Sequence, residues 1–161
     1  MNFQPVLQKV IQAFGQYYTI KTENVASPFI AEAEFHSHTE QYVLVRAAKI
    51  ADIDSHEFVF FAEVPLLTQE KASELDCCAW NEGLSRVKPY YGHRNSDVAL
   101  IIVADKIEED VFQQIKKTKH SKSYYLSLWG WSNYRLMAYE VSTGRSVANR
   151  LGTSLKKLVR L

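Results

Sequence analysis

Seven consecutive apolar residues, Val98-Ala-Leu-Ile-Ile-Val-Ala104, stand between Asp97 and Asp105. A run of that length suits a β-strand and falls far short of the ~18–20 residues that cross a bilayer. A half-exposed strand alternates apolar and polar side chains. This one does not alternate, so it has no side for water. The segment predicts a central strand, and the rest of the chain must supply its cover.

Helices are available to do so. Phe3, Val6, Leu7, Val10, Ile11 and Phe14 follow the spacing of one buried helical stripe. Asn2 suits the cap of that helix, Pro5 its first turn and Gly15 its end. Thr68 suits the cap of a second helix running to about Ser85, with Ala72, Leu75, Cys78, Ala79 and Trp80 on its inner face. On this reading Cys77 and Cys78 are small buried thiols. Asp105 and Glu108 read as a capping box for a third helix ending near Lys119. Residues 154–160 read as a final basic helix.

Strands fill the intervals. Residues 17–23, 29–37, 41–50, 57–64, 123–129 and 133–141 carry strand formers bounded by turn residues. Pro65 is expected to stop the strand at 57–64, and 86–96 reads as an irregular loop. Successive hairpins favour antiparallel pairing, while the helix on either side of 98–104 adds a parallel crossover. The expected fold is α+β: one domain over residues 1–161, with a mixed, mainly antiparallel sheet of about six or seven strands and helices packed on it. At 161 residues such a chain buries roughly two-thirds of its unfolded surface and needs no metal or disulfide to fold.

Several functions are excluded or disfavoured. The start, Met1-Asn2-Phe3-Gln4-Pro5, has no basic stretch leading into an apolar core, so it does not read as a secretory leader. The two cysteines are adjacent, a poor geometry for a bridge, and point to reduced thiols and the cytoplasm. The Walker loop, G-x-G-x-x-G, H-E-x-x-H, C-x-x-C and G-x-S-x-G are absent. No cofactor, small-molecule ligand or membrane partner is expected, and the balance leans away from an enzyme. Neither His93 nor His120 has a recognisable partner for acid–base work.

Charge is more informative than its total of +1. Residues 1–85 carry five Lys or Arg against twelve Asp or Glu; residues 86–161 carry fourteen against six. Such asymmetry suits a homodimer joined through complementary faces, or a nucleic-acid surface in the basic half. The second reading has definite residues. Lys88, Tyr90, Tyr91 and Arg94 form one basic aromatic segment. Lys117, Lys119, Lys122, Trp129, Trp131 and Arg135 form another. Cations grip the backbone of a single strand while flat rings stack under its bases. A third reading uses Glu34, His36 and His38. Alternation along 29–37 turns Glu32, Glu34 and His36 to one face and Ala31, Ala33 and Phe35 to the other. Imidazoles and carboxylates at that spacing suit a first-row metal in a hydrolase, with His56 or Asp54 as a third ligand. The leading expectation remains a non-enzymatic binding module, with these as its rivals.

Overall fold

In the computed structural model, residues 5–15, 17–36, 54–87, 93–124 and 130–160 are described. The apolar run is the middle of β4 (His93–Ile107), and Val98 to Ala104 are all buried. β4 is flanked on one edge by β3 (Asp54–Leu67) and on the other by β6 (Trp131–Glu140), both parallel to it. Beyond β3 lie β2 (Ala31–His36) and β1 (Thr19–Lys21), each antiparallel to its neighbour. Beyond β6, two short strands share one edge: β5 (Ser121–Ser123) pairs with its start and β7 (Ser146–Ala148) with its later half. Among the described residues four pairings are antiparallel and two parallel, which is the expected mixed α+β sheet with one more parallel pair than the single crossover anticipated.

Helix α1 (Pro5–Phe14) precedes the sheet, α2 (Gln69–Arg86) joins β3 to β4, and α3 (Glu109–Lys117) follows β4. A 3-10 helix, Thr153–Val159, closes the chain. The two parallel connections advance in the same direction across the sheet, which puts α2 and α3 on one face. Phe58, Phe60, Val98, Leu100, Ile102, Tyr134 and Leu136 meet Ala72, Leu75, Ala79, Val111 and Ile115 there. The opposite face presents Ala33, Val59, Phe61, Ala99, Ile101, Val103 and Met137 to Leu7, Val10, Phe14 and Leu155. The sheet is thus the middle of three layers, and the unalternating run of β4 is explained by cover on both sides.

The Thr68 cap is present: its hydroxyl accepts from the Lys71 N–H at 3.1 Å. Four expectations need correction. Residues 93–96, read as the end of an irregular loop, already belong to β4 and pair with β3. β3 does not stop at Pro65 but pairs with β4 through Leu67. Past Phe61 its outer edge has no strand partner among the described residues, and a residue without an N–H is tolerated on such an edge. Asp105 is not in a capping box. It lies within β4, and Glu108 occupies the cap position of α3 with no side-chain capping bond. Cys77 is exposed rather than buried, and Cys78 only partly covered, because the inner face of α2 runs through Ala72, Leu75, Ala79 and Gly83. The Asn2 cap, the turn at 38–40 and the strand at 41–50 lie outside the described residues.

Asn149 ties the layers together. Its Oδ1 accepts from the N–H groups of Leu136 (3.0 Å) and Gly152 (2.8 Å). Its Nδ2 donates to the carbonyls of Tyr134 (3.0 Å) and Thr118 (3.1 Å). One buried amide therefore holds β6, the end of α3 and the start of the 3-10 helix. Asn149→Ala strands these groups and is expected to cost about 3 kcal/mol, read as a lower urea midpoint with unchanged slope. A second test concerns how closely α2 lies on β4. A Cβ on Gly83 would sit 2.4 Å from Val98 Cγ2. Alanine would gain up to ~1 kcal/mol of helix propensity but clash with a fully packed side chain at about 1–3 kcal/mol. Gly83→Ala is expected to lower the melting temperature; a rise would contradict this packing.

Candidate nucleic-acid interface

The described ends of β2, β3, β4 and β6 meet at one end of the sheet. β2 finishes at His36, and β3, β4 and β6 begin at Asp54, His93 and Trp131. Register aligns His36 with His56, Asp54 with His93, and Asn95 with Trp131. Two basic aromatic segments, far apart in sequence, therefore lead into adjacent strand starts. Lys88, Tyr90, Tyr91, Trp129 and His38 lie outside the described residues. Arg94 is the second residue of β4, next to Asn95.

Helix α3 runs back along the sheet and ends at Lys117 at this same end. Lys117, Lys119 and Lys122 are exposed and make no ion pair among the described residues. Lys116 and Lys117 sit in the last turn, where the helix dipole favours cations. Lys122 Nζ lies 5.6 Å from the centre of the Tyr124 ring, and the Tyr124 hydroxyl bonds Ser132 Oγ at 2.9 Å. His120 fastens the lysine-bearing segment to α2. Its Nε2 lies 2.9 and 3.1 Å from the two Asp76 oxygens. Its ring stacks on Trp80 at 5.4 Å and leans on Tyr134 at 5.0 Å. The partner that sequence did not reveal for His120 is Asp76, 44 residues away. Tyr134 is fully buried, and burial, then the Asp76 charge, push its hydroxyl well above its ordinary pKa.

The other face is built differently. Alternation turns Tyr134, Leu136 and Ala138 toward α2 and α3, so Trp131, Asn133 and Arg135 face the α1 side. Asn95, Asp97 and Glu57 share that side with Ala99 and Val59. Glu57 is engaged twice: the Tyr18 hydroxyl donates to Oε2 at 2.6 Å and Arg135 Nη1 to Oε1 at 3.1 Å. Arg135 also donates to the Leu151 carbonyl (3.3 Å) and Ser154 Oγ (3.1 Å). It is a buttress of the α1 side rather than an available cation. Tyr18 is half-buried, and desolvation together with the neighbouring Glu57 raises its hydroxyl far above the usual phenol value. Asp97 accepts from the Asn133 N–H at 3.3 Å. Burial lifts its carboxyl above the usual value and Glu57 adds to this, while Asn95, the Asn133 N–H and Arg135 pull the other way. Trp131 is 39% exposed beside this polar row.

The candidate residues thus divide. Lys117, Lys119 and Lys122 lie on the α3 and β5 border, Trp131 and Arg135 on the α1 side, and both groups adjoin the start of β6. The metal candidates fare differently. Glu34 is half-buried and engaged, and Glu32 is buried under Arg86 (2.6 Å) and Lys21 (3.7 Å). Among the described residues no three His, Cys, Asp or Glu side chains group as metal ligands. Nor is any described helix long and apolar enough to cross a membrane.

A family model covers residues 2–161, nearly the whole chain. The chain belongs to DUF8052, a domain of unknown function. No curated protein and no solved structure matches it.

Asp97 gives a direct check on the electrostatics. Its folded-state pKa exceeds the unfolded one, so the native state binds an extra proton between the two values. That contribution strengthens the fold as pH falls through this window and costs stability at neutral pH, where the buried group is ionised. Asp97→Asn is expected to be at least as stable as wild type near pH 7 and to lose this gain near pH 4, by urea denaturation at the two pH values. A variant whose stability deficit is larger at neutral pH would contradict the assignment.

Proposed function

We propose that the chain is a non-enzymatic binding module for single-stranded nucleic acid. Its contact surface would be the sheet end where β4 and β6 begin. The observation that carries the reading is the Asn95–Trp131 pairing, which brings the basic aromatic segments 86–94 and 116–135 to adjacent strand starts. Lys88, Arg94, Lys117, Lys119 and Lys122 would meet phosphates; Tyr90, Tyr91, Trp129 and Trp131 would stack on bases. Arg135, held by Glu57, would position rather than touch the ligand. The two unbridged cysteines support a cytoplasmic setting.

Fluorescence anisotropy with labelled single-stranded DNA and RNA tests this. Binding should be micromolar or tighter at low salt and weaken steeply as salt rises. Lys117→Glu with Lys122→Glu should weaken it at least tenfold and flatten the salt slope by roughly 0.7 per lysine or more. Trp131→Ala should weaken it roughly 5- to 150-fold, the equivalent of one lost stacking contact. No binding at low salt would overturn the reading.

One observation favours a second reading, a homodimer. The exposed stripe of α3 runs from Glu109, which Arg145 already holds, and Asp110 through Gln113 to Lys116 and Lys117. Against a two-fold related copy, its acidic turn would face the partner's lysines. Sedimentation should then show a dimer at low salt that dissociates at high salt; a monomer in both would remove it.

A further inference from the structure

Trp131 is the one exposed tryptophan among the described residues, and its neighbours on the α1 side are neither apolar nor basic. Register puts Asn95 directly across from it, with Asn133 two residues along β6 and Asp97 across from Asn133. All three are half-buried. An exposed tryptophan beside a row of amide and carboxyl groups suits a flat ring ligand with a polar edge. The lysines on the α3 side adjoin the same strand start, so a single strand crossing the β5 edge could leave its phosphates on one side and deliver a base to the other.

We infer that Trp131, Asn95 and Asp97 form a base-reading subsite that prefers guanine. The inference rests on the nucleic-acid reading above and deepens it. A carboxylate only accepts hydrogen bonds and has about four lone-pair sites. Asp97 uses part of this capacity on the Asn133 N–H and on Asn95, and the remainder would accept from a ligand's donors. Adenine and cytosine each offer one exocyclic amino group beside a ring acceptor. Thymine and uracil offer one N–H between two carbonyls. Guanine alone offers two adjacent donors, N1–H and the N2 amino group, matching the two oxygens of a carboxylate. Burial of Asp97 in a row already holding Glu57 makes such donors more valuable there than in water. Arg135 neutralises Glu57, so this carboxylate does not compete for the same edge.

The test uses the full chain and a set of thymine oligonucleotides that differ only in one central base: thymine, cytosine, adenine, guanine or inosine. Anisotropy at low salt gives the affinity of each relative to the all-thymine strand. Guanine should bind about tenfold tighter than the others, and inosine, which keeps N1–H but lacks the N2 amino group, should lose most of that advantage. Asp97→Asn should bring the guanine-to-thymine ratio close to one, with its melting curve showing that the fold persists. If wild type binds every strand with equal affinity, or if Asp97→Asn or inosine leaves the ratio unchanged, the subsite is wrong while the nucleic-acid reading stands. If no strand binds, the broader reading fails first.

Discussion

Everything in this fold depends on β4 being covered on both faces and paired on both edges. Seven adjacent apolar side chains cannot be exposed anywhere without cost, and each fully buried aliphatic side chain contributes roughly 1.5–3 kcal/mol. Their alternation sends Val98, Leu100 and Ile102 to α2 and α3, and Ala99, Ile101 and Val103 to α1 and the 3-10 helix. Parallel neighbours on both edges leave no unpaired backbone through this stretch. Connections between parallel strands must cross over, which accounts for α2 and for the excursion through α3 and β5.

Polar contacts then decide where the surface features lie. Asn149 fixes the end of α3 against β6, and His120 pins the following residues to Asp76 on α2. Together they set the exposed lysines 117, 119 and 122 beside the start of β6. At the far end of the sheet Glu140 accepts from the Ile107 N–H and from Thr143 and Arg145; these bonds outweigh burial and hold its carboxyl below the usual range. Arg145 also packs on the Phe112 ring and pairs with Glu109. That end is a closed network, whereas the lysines at the other are left to solvent.

Local signals in the sequence were reliable where one residue type has one local job. The unbroken run at 98–104, the alternation at 31–36 and the Thr68 cap could all be read without coordinates. Signals that depend on neighbours were not. Pro65 looked like a stop because nothing local says that β2 has already ended. Glu32 reads as part of a ligand face with Glu34 and His36 because Arg86, 54 residues on, is invisible until α2 folds over it. The same holds for Glu57 with Arg135 and for Asp76 with His120, whose partners lie 78 and 44 residues away. The opposite charges of the two halves, suggestive of a surface for another molecule, are partly spent inside this one through Arg86–Glu32 and Arg135–Glu57. Lys117, Lys119, Lys122 and Trp131 remain exposed, a smaller set than the two basic aromatic segments of the sequence.

On the proposed function, the strand starts of β4 and β6, with the segment after α3, form the working surface. Amide hydrogen exchange with and without a saturating single-stranded oligonucleotide addresses it most directly, because it reads position and needs no substitution. Slower exchange is expected in peptides covering 93–97, 118–124 and 131–133, and unchanged exchange at Glu108–Val111 and around Glu140 at the opposite end. Protection confined to that opposite end, or spread evenly over α2, would contradict this placement.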